Sequence, residues 1–313
     1  MLAAPAYASK KLFNLSLPVI SPVLQFSGSI SETYDTGGDW VGQGTPLTGD
    51  SIRRLDEYST TIDFAGTNIQ FLGNASDTSV VSVSYGQWQY VTETSANSSV
   101  IAAAQSNLTY AWYEMVVTQT NSDTDVWMTG VDINTALETE FDSIWDAPNR
   151  TEAVVDSLGD KNEFFYFYGQ WAYNASIGSV PSPVGRPYNH LVGSGDAYLN
   201  FNVPQNTSFI IINGTVGYLG GHYNVTLDPP LSGTQDYTLG SESPPNPFTF
   251  NSESRWESEA VLFAAPLDPT EEYDVIIDNI DTDGSVGVYG ATFYFATNPP
   301  SSNVTSTPSP GHP

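Results

Sequence analysis

Asn68-Ile69-Gln70-Phe71-Leu72-Gly73 and Phe209-Ile210-Ile211-Ile212-Asn213-Gly214 are short apolar runs ending in glycine, 141 residues apart. The same offset relates Phe26-Ser27-Gly28-Ser29-Ile30 to Phe167-Tyr168-Gly169-Gln170-Trp171. Val81-Ser82-Val83-Ser84-Tyr85 matches Tyr223-Asn224-Val225-Thr226-Leu227 with one residue of slip. A period this long is too large for a solenoid unit and has the size of a whole domain. The chain of 313 residues is therefore expected to hold two copies of one fold.

Within each copy the residues alternate as strands do. Ile62 and Phe64 share one face of Tyr58–Phe64. Leu199, Phe201 and Val203 point inward where Asn200 and Asn202 point outward, and Tyr223, Val225 and Leu227 alternate with Asn224 and Thr226. Glu272–Ile280 runs to an Asp/Gly turn, and Val286–Phe295 returns from it; Ala111–Val117 and Val126–Ile133 take the corresponding parts in the first copy. Many short strands between close turn signals predict two tandem jelly-roll β-sandwiches, an all-β fold. The expected organisation is an N-terminal segment over 1–23, a first sandwich over 24–146, a linker over 147–162, a second sandwich over 163–297 and a tail over 298–313. Asn149 and Gly159 predict a short capped helix in the linker, and Ala102-Ala103-Ala104 predicts another turn of helix within 97–105. The tail is rich in Pro, Ser and Thr, a composition that predicts a disordered, O-glycosylated stalk.

Composition excludes several partners. Asp and Glu number 35 against 8 Lys and Arg, a formal charge of −27. Phosphate backbones and anionic lipids need basic patches, so neither nucleic acid nor a charged membrane surface is an expected partner. No apolar run of 18 residues exists, so no membrane-spanning helix is expected in this chain. After Lys10 and Lys11 the apolar stretch is interrupted by Asn14, Ser16 and Pro18, which makes a poor secretory signal. Asn-X-Ser/Thr occurs at Asn14, Asn74, Asn97, Asn107, Asn149, Asn174, Asn206, Asn213, Asn224 and Asn303. Ten sequons in a chain without Cys favour a eukaryotic glycoprotein, secreted or on the cell surface.

A family resemblance follows from the strand pattern. Phe167–Trp171, Tyr188–His190, Gly195–Val203, Phe209–Gly214, Tyr223–Asp228, Tyr273–Ile280 and Val288–Phe295 together resemble the galactose-binding-like jelly-roll domains found in tandem in fungal cell-surface proteins. The resemblance spans about residues 24 to 296 and is better in the second copy; in the first, Ile30 stands where Trp is expected. It implies a binding fold, a Ser/Thr/Pro-rich stalk and a membrane anchor beyond it. It does not fix one activity.

The chemistry is narrow. Without Cys there is no disulfide scaffold, thiolate zinc site or Cys nucleophile. His is limited to His190, His222 and His312, and no Gly-X-Ser-X-Gly, His-Glu-X-X-His or Gly-X-X-X-X-Gly-Lys motif is present. A pair of carboxylates for glycoside hydrolysis is the enzymatic alternative left open. No organic cofactor is expected. Asp278, Asp281 and Asp283 have a spacing that suits Ca2+, and a hairpin turn accounts for the same residues. Sugars require aromatic faces for their C–H patches and polar groups for their hydroxyls. The candidates are Trp40, Trp88 and Tyr90 in the first copy and Tyr188, His190, Tyr218, His222, Arg255 and Trp256 in the second, with Trp112, Trp127 and Trp171 assigned to cores. The expected partner is a glycan or cell-wall polysaccharide. The alternative is a structural protein that self-associates into a homo-oligomer or filament through strand edges.

Overall fold

The computed structural model describes residues 9–26, 31–34, 51–54, 59–75, 79–85, 88–94, 98–104, 108–120, 126–142, 146–156, 158–173, 190–232, 243–254 and 258–298. Trp40, Asn97, Asn107, Asn174, Tyr188, Arg255, Trp256, Asn303 and residues 299–313 lie outside the described residues. Among the described residues there is no α-helix, and so none long and apolar enough to cross a membrane.

The first domain contains β1 (Ser9–Pro18), β2 (Gln25–Phe26), β3 (Ser31–Tyr34), β4 (Ser51–Arg54), β5 (Ser59–Gly66), β6 (Asn68–Ala75), β7 (Ser79–Tyr85), β8 (Trp88–Thr94), β9 (Val100–Ala103), β10 (Ala111–Gln119) and β11 (Val126–Thr139). One sheet runs β3-β4-β11-β6-β9 with β1 also on β11; the other runs β2-β5-β10-β7-β8. The second domain contains β12 (Asn149–Ala153), β13 (Tyr166–Tyr173), β14 (Leu191–Asn202), β15 (Thr207–Val216), β16 (His222–Asp228), β17 (Phe248–Asn251), β18 (Ser258–Pro266), β19 (Asp274–Asn279) and β20 (Ser285–Phe295). Its strands repeat both orders: β13-β14-β19-β16-β17 mirrors β2-β5-β10-β7-β8, and β12-β20-β15-β18 mirrors β1-β11-β6-β9. Leu191–Ser194 of β14 also pair with β20, which joins the second pair of layers into one nine-stranded sheet. The fold is all-β jelly roll, twice.

The repeat extends to its irregularities. Gly73 and Gly214, 141 residues apart, each lie where β6 or β15 slips register against β11 or β20. A Cβ at Gly73 would collide with the Trp127 carbonyl, and one at Gly214 with the Gly287 carbonyl. On the partner strands at these bulges, a Cβ at Gly130 or Gly290 would likewise crowd the carbonyls of Leu17 on β1 and Glu152 on β12. Glycine is therefore required by close backbone approach at two matching bulges.

Both expected helices are strands. Asn149–Ala153 satisfies its backbone against Gly290–Tyr294 of β20, and Val154 and Val155 then turn into the core. Residues 100–103 pair with β6, which places Ile101 and Ala102 inside the first sandwich. Long-range pairing outweighs the capping and alanine signals read locally. Ser9–Pro18 is a full strand on β11, with Leu17 and Val19 buried, so it belongs to the first sandwich rather than preceding it. The Asp281–Gly284 turn does not close a hairpin, because β14 lies between β19 and β20.

Each sandwich has its own core, and a third cluster fastens the two. Phe13, Leu15 and Leu137 of the first domain pack on Phe209, Ile211, Ala264 and Tyr294 of the second, with the Phe13 and Phe209 rings edge-to-face at 5.1 Å. Trp112 is buried against Phe248 of the other domain, so it is a core residue, but of the seam. Trp127 and Trp171 are partly buried. Ser21 Oγ donates to the Val261 carbonyl at 2.6 Å and Thr139 Oγ1 to that of Ala296 at 3.2 Å across the same seam.

Candidate functional site

The solvent face of the sheet β13-β14-β19-β16-β17 is built by simple alternation. Phe167, Leu199, Ile277, Val225 and Phe248 stand in register on its inner side. One residue along each strand, Tyr168, Tyr198, Asp278, Asn224 and Thr249 form the matching outer row. Tyr166, Asn200, Ile276 and Thr226 form the next row, and Asn202, Asp274 and Asp228 the one after. Strands about 4.8 Å apart place these groups side by side.

The aromatic end is a cluster. The rings of Tyr168 and Tyr198 stack at 4.8 Å with an interplanar angle of 18°, and Tyr166 lies 6.3 Å from Tyr198. Tyr166 and Tyr168 remain 58% and 51% exposed, far more than packing onto a core would leave. The polar end is held in place by its own hydrogen bonds. Thr249 Oγ1 donates to Asn224 Oδ1 at 2.8 Å, and Asn202 Nδ2 donates to Asp274 Oδ1 at 2.8 Å. Burial and then the negative charge of Asp196 push the Asp278 carboxyl above its ordinary value. The face ends in a hollow of about 360 Å3 lined by Asn202, Gln205, Asp228, Glu272 and Asp274. At Thr249 it meets a groove of about 220 Å3, closed on the other side by Leu24, Gln25 and Phe26 of the first domain.

A cleft of about 340 Å3 also lies on the seam, lined by Lys10, Tyr110, Trp112, Glu138, Asp268 and Tyr273 among others. Its groups are already engaged. Lys10 Nζ is 3.9 Å from Glu138 and sits 4.4 Å over the Tyr110 ring, while Trp112 packs on Phe248. Burial pushes the Tyr110 hydroxyl up to about 12. The cleft is better explained as the domain seam than as a ligand site.

The residues expected from sequence are scattered. Trp88 is 48% exposed on the edge strand β8, opposite Tyr85. Tyr90 donates its hydroxyl to the Ala103 carbonyl and stands edge-on to Tyr85, so it supports the first core. Burial, then Tyr85, pushes its pKa up to about 12. His190 is buried at the start of β14, and Tyr218 is exposed in the turn after β15. His222 begins β16 at the seam groove, in the other domain from Trp88. Asp278, Asp281 and Asp283 do not converge: Asp278 joins the outer row, Asp281 binds His222, and no three His, Asp or Glu side chains among the described residues could hold a metal ion. The tyrosine cluster was missed although its signal was present. Tyr166 and Tyr168 flank Phe167, and Tyr198 precedes Leu199 in the alternation that set Asn200 outward.

The Asp281–His222 pair has a pH consequence. The His222 backbone N–H donates to Asp281 Oδ2 at 2.6 Å and Nδ1 lies 2.9 Å from the same oxygen. The His222 backbone donor is the largest influence and lowers the carboxyl below its ordinary value; burial opposes it, and the ring's hydrogen bond and charge lower it further. A depressed folded-state pKa gives stability that is present above the unfolded pKa and lost as pH falls through the folded one. Asp281→Asn is expected to remove that part of the acid-range pH dependence, whereas His222→Ala, which keeps the backbone donor, retains a part of it. Melting curves taken from neutral pH down through the carboxylate range check this; equal loss in both variants contradicts it.

Neither protein-family models nor curated proteins gave a match to this chain. Solved structures did. A family two carbohydrate esterase from Cellvibrio japonicus is 13% identical over 48% of this chain and 34% of its own, with a TM-score of 0.28. The N-terminal CBM22-1-CBM22-2 tandem domain of Xyn10C from Paenibacillus barcinonensis is 10% identical over 93% of this chain and 100% of its own, with a TM-score of 0.27. The ANX1 ectodomain from Arabidopsis thaliana is 10% identical over 92% and 98%, with a TM-score of 0.28. The chain spans about a third of the esterase and a quarter of a similar Paenibacillus xanthan lyase.

Proposed function

We propose that this chain is a non-catalytic, extracellular carbohydrate-binding protein that takes a neutral or amino glycan of a cell wall on the outer face of its second sandwich. The observation that carries the reading is the half-exposed cluster of Tyr166, Tyr168 and Tyr198, in register with a carboxylate, an amide and a hydroxyl. Exposed aromatics clustered on a sheet call for a partner, and flat rings beside fixed hydrogen-bonding groups match the two sides of a pyranose. Asp196, Asp278, Asp274 and Asp228 make the face acidic. They accept from sugar hydroxyls and ammonium groups and repel uronates and sulfates. Ten sequons support the extracellular placement, and a fungal surface protein with a stalk remains the family expectation.

Affinity electrophoresis of glycan-free protein through soluble glucan, xylan, mannan and chitosan, with polygalacturonate as the acidic control, tests the reading. At least one neutral or amino polymer is expected to retard the protein, without chain cleavage, and polygalacturonate is expected not to. Equal mobility in all gels overturns it. The self-associating alternative rests on the edge strand β8, where Val91 is 61% and Trp88 48% exposed. Filaments or defined oligomers on size exclusion, formed without sugar, would favour that reading instead.

A further inference from the structure

The outer face of the second sandwich carries a glycosylation sequon in the same row as the tyrosines. Asn224-Val225-Thr226 is a sequon within β16, and strand alternation puts Asn224 and Thr226 on the outer side while Val225 is fully buried. Thr249 holds the Asn224 amide oxygen from the β17 side. Nδ2, the atom that bears an N-linked glycan, donates to nothing among the described residues. Other sequons in this domain are placed differently. Asn206 Nδ2 donates to Thr297 O at 3.2 Å and Oγ1 at 2.7 Å, and its Thr207 and Ser208 are buried. Asn213 has its partner hydroxyl on Thr215, which is 3% exposed. Asn149 is exposed, but on β12 in the other layer.

From Asn224 the outer row continues through Asp278 to Tyr198 and Tyr168. Two strand spacings, about 10 Å, separate Asn224 from Tyr198. The two inner N-acetylglucosamine rings of an N-linked glycan, joined end to end, cover that gap, and their flat faces match the tyrosine platform. We propose that Asn224 is glycosylated and that the inner sugars of this glycan lie over Tyr198 and Tyr168, so that the protein's own glycan covers the face until it is trimmed or absent. This rests on the binding role proposed above. In forming the link, Nδ2 attacks the anomeric carbon of a polyprenyl-diphosphate oligosaccharide. The C1–O bond breaks, the C1–N bond forms, the diphosphate leaves with the electron pair and the amide nitrogen gives up one proton.

Secreted protein from a eukaryotic host tests the proposal by glycopeptide mass spectrometry and tyrosine acylation with N-acetylimidazole. The expected result is occupancy of Asn224, with Tyr168 and Tyr198 labelled several-fold faster in Thr226→Ala, which abolishes the sequon and keeps Asn224. Labelling of Tyr218 is expected to be unchanged. An unoccupied Asn224, or occupied protein whose Tyr168 and Tyr198 label as fast as in Thr226→Ala, overturns the proposal. Binding is read separately: protein from bacteria, free of glycan, is expected to bind the glycan panel at least tenfold more tightly than the glycosylated form. If the bacterial protein binds no glycan, the proposed function fails while the labelling result still decides the position of the Asn224 glycan.

Discussion

Gly214→Ala is expected to destabilise the second sandwich by about 3 kcal/mol, near the upper end of what overpacking costs. The added methyl group would meet the Gly287 carbonyl on one side and the Leu262 side chain on the other. Leu262 is itself fully buried, and the carbonyl belongs to β20, which is held by β12, β14 and β15 together. Relief would require opening the bulge where Asn213 and Gly214 slip register, with loss of ladder bonds on the central strand of the layer. The control is Gly159→Ala. Gly159 has φ +89 with nothing near the new methyl, so only left-handed strain is added, about 1 kcal/mol. At roughly 2–4 °C per kcal/mol for a domain of this size, the two variants are expected to separate clearly in thermal unfolding. Indistinguishable melting temperatures would show that the bulge yields and that the duplicated glycine is not required by packing.

The second large effect falls on binding. Replacing both Tyr168 and Tyr198 with Ala is expected to weaken binding of whichever glycan retards the wild type by about 2 kcal/mol, roughly 30-fold, the scale of a hot-spot truncation. The loss is expected to be specific. Tyr168 is half exposed and Tyr198 partly so, and they stack on each other rather than on the core. The melting temperature is therefore expected to stay close to wild type. Trp88→Ala, in the other domain, is expected to leave binding unchanged. Titration calorimetry on unglycosylated protein reads all three. If Trp88→Ala abolishes binding and the tyrosine pair does not, the site lies in the first sandwich.

These two predictions show where sequence reading succeeded and where it stopped. The offset of 141 residues between Gly73 and Gly214 already pointed to two copies, and the strand orders of the two domains match as that repeat requires. Alternation around Leu199 and Val225 placed the inner row correctly, because buried positions impose a strict period on apolar residues. The linker helix failed because Asn149 and Gly159 carry a local capping signal, while the unpaired edge of β20, some 140 residues further on, recruits the segment as a strand. Nothing local reports such a partner. The aromatic face stayed hidden for another reason. Tryptophan in glycine-rich loops drew attention, whereas Tyr166, Tyr168 and Tyr198 are ordinary strand residues until register brings them together. The carboxylates Asp278 and Asp281 are close in sequence but lie apart in the fold: Asp278 stands on the outer row near the like charge of Asp196, and Asp281 is bound by His222.

The pairing of β1 with β11 and of β12 with β20 has a mechanical consequence. Ser9 lies opposite Thr139, and Asn149 opposite Tyr294, so the chain enters and leaves each sandwich at the same end of one antiparallel pair. Tension drawn along the polypeptide would meet those ladders endwise and part them one bond at a time, like a zipper, rather than shear all of them together. A load applied through the chain ends would therefore open each sandwich first at these closing strands, before it reaches the sheet that carries the tyrosines.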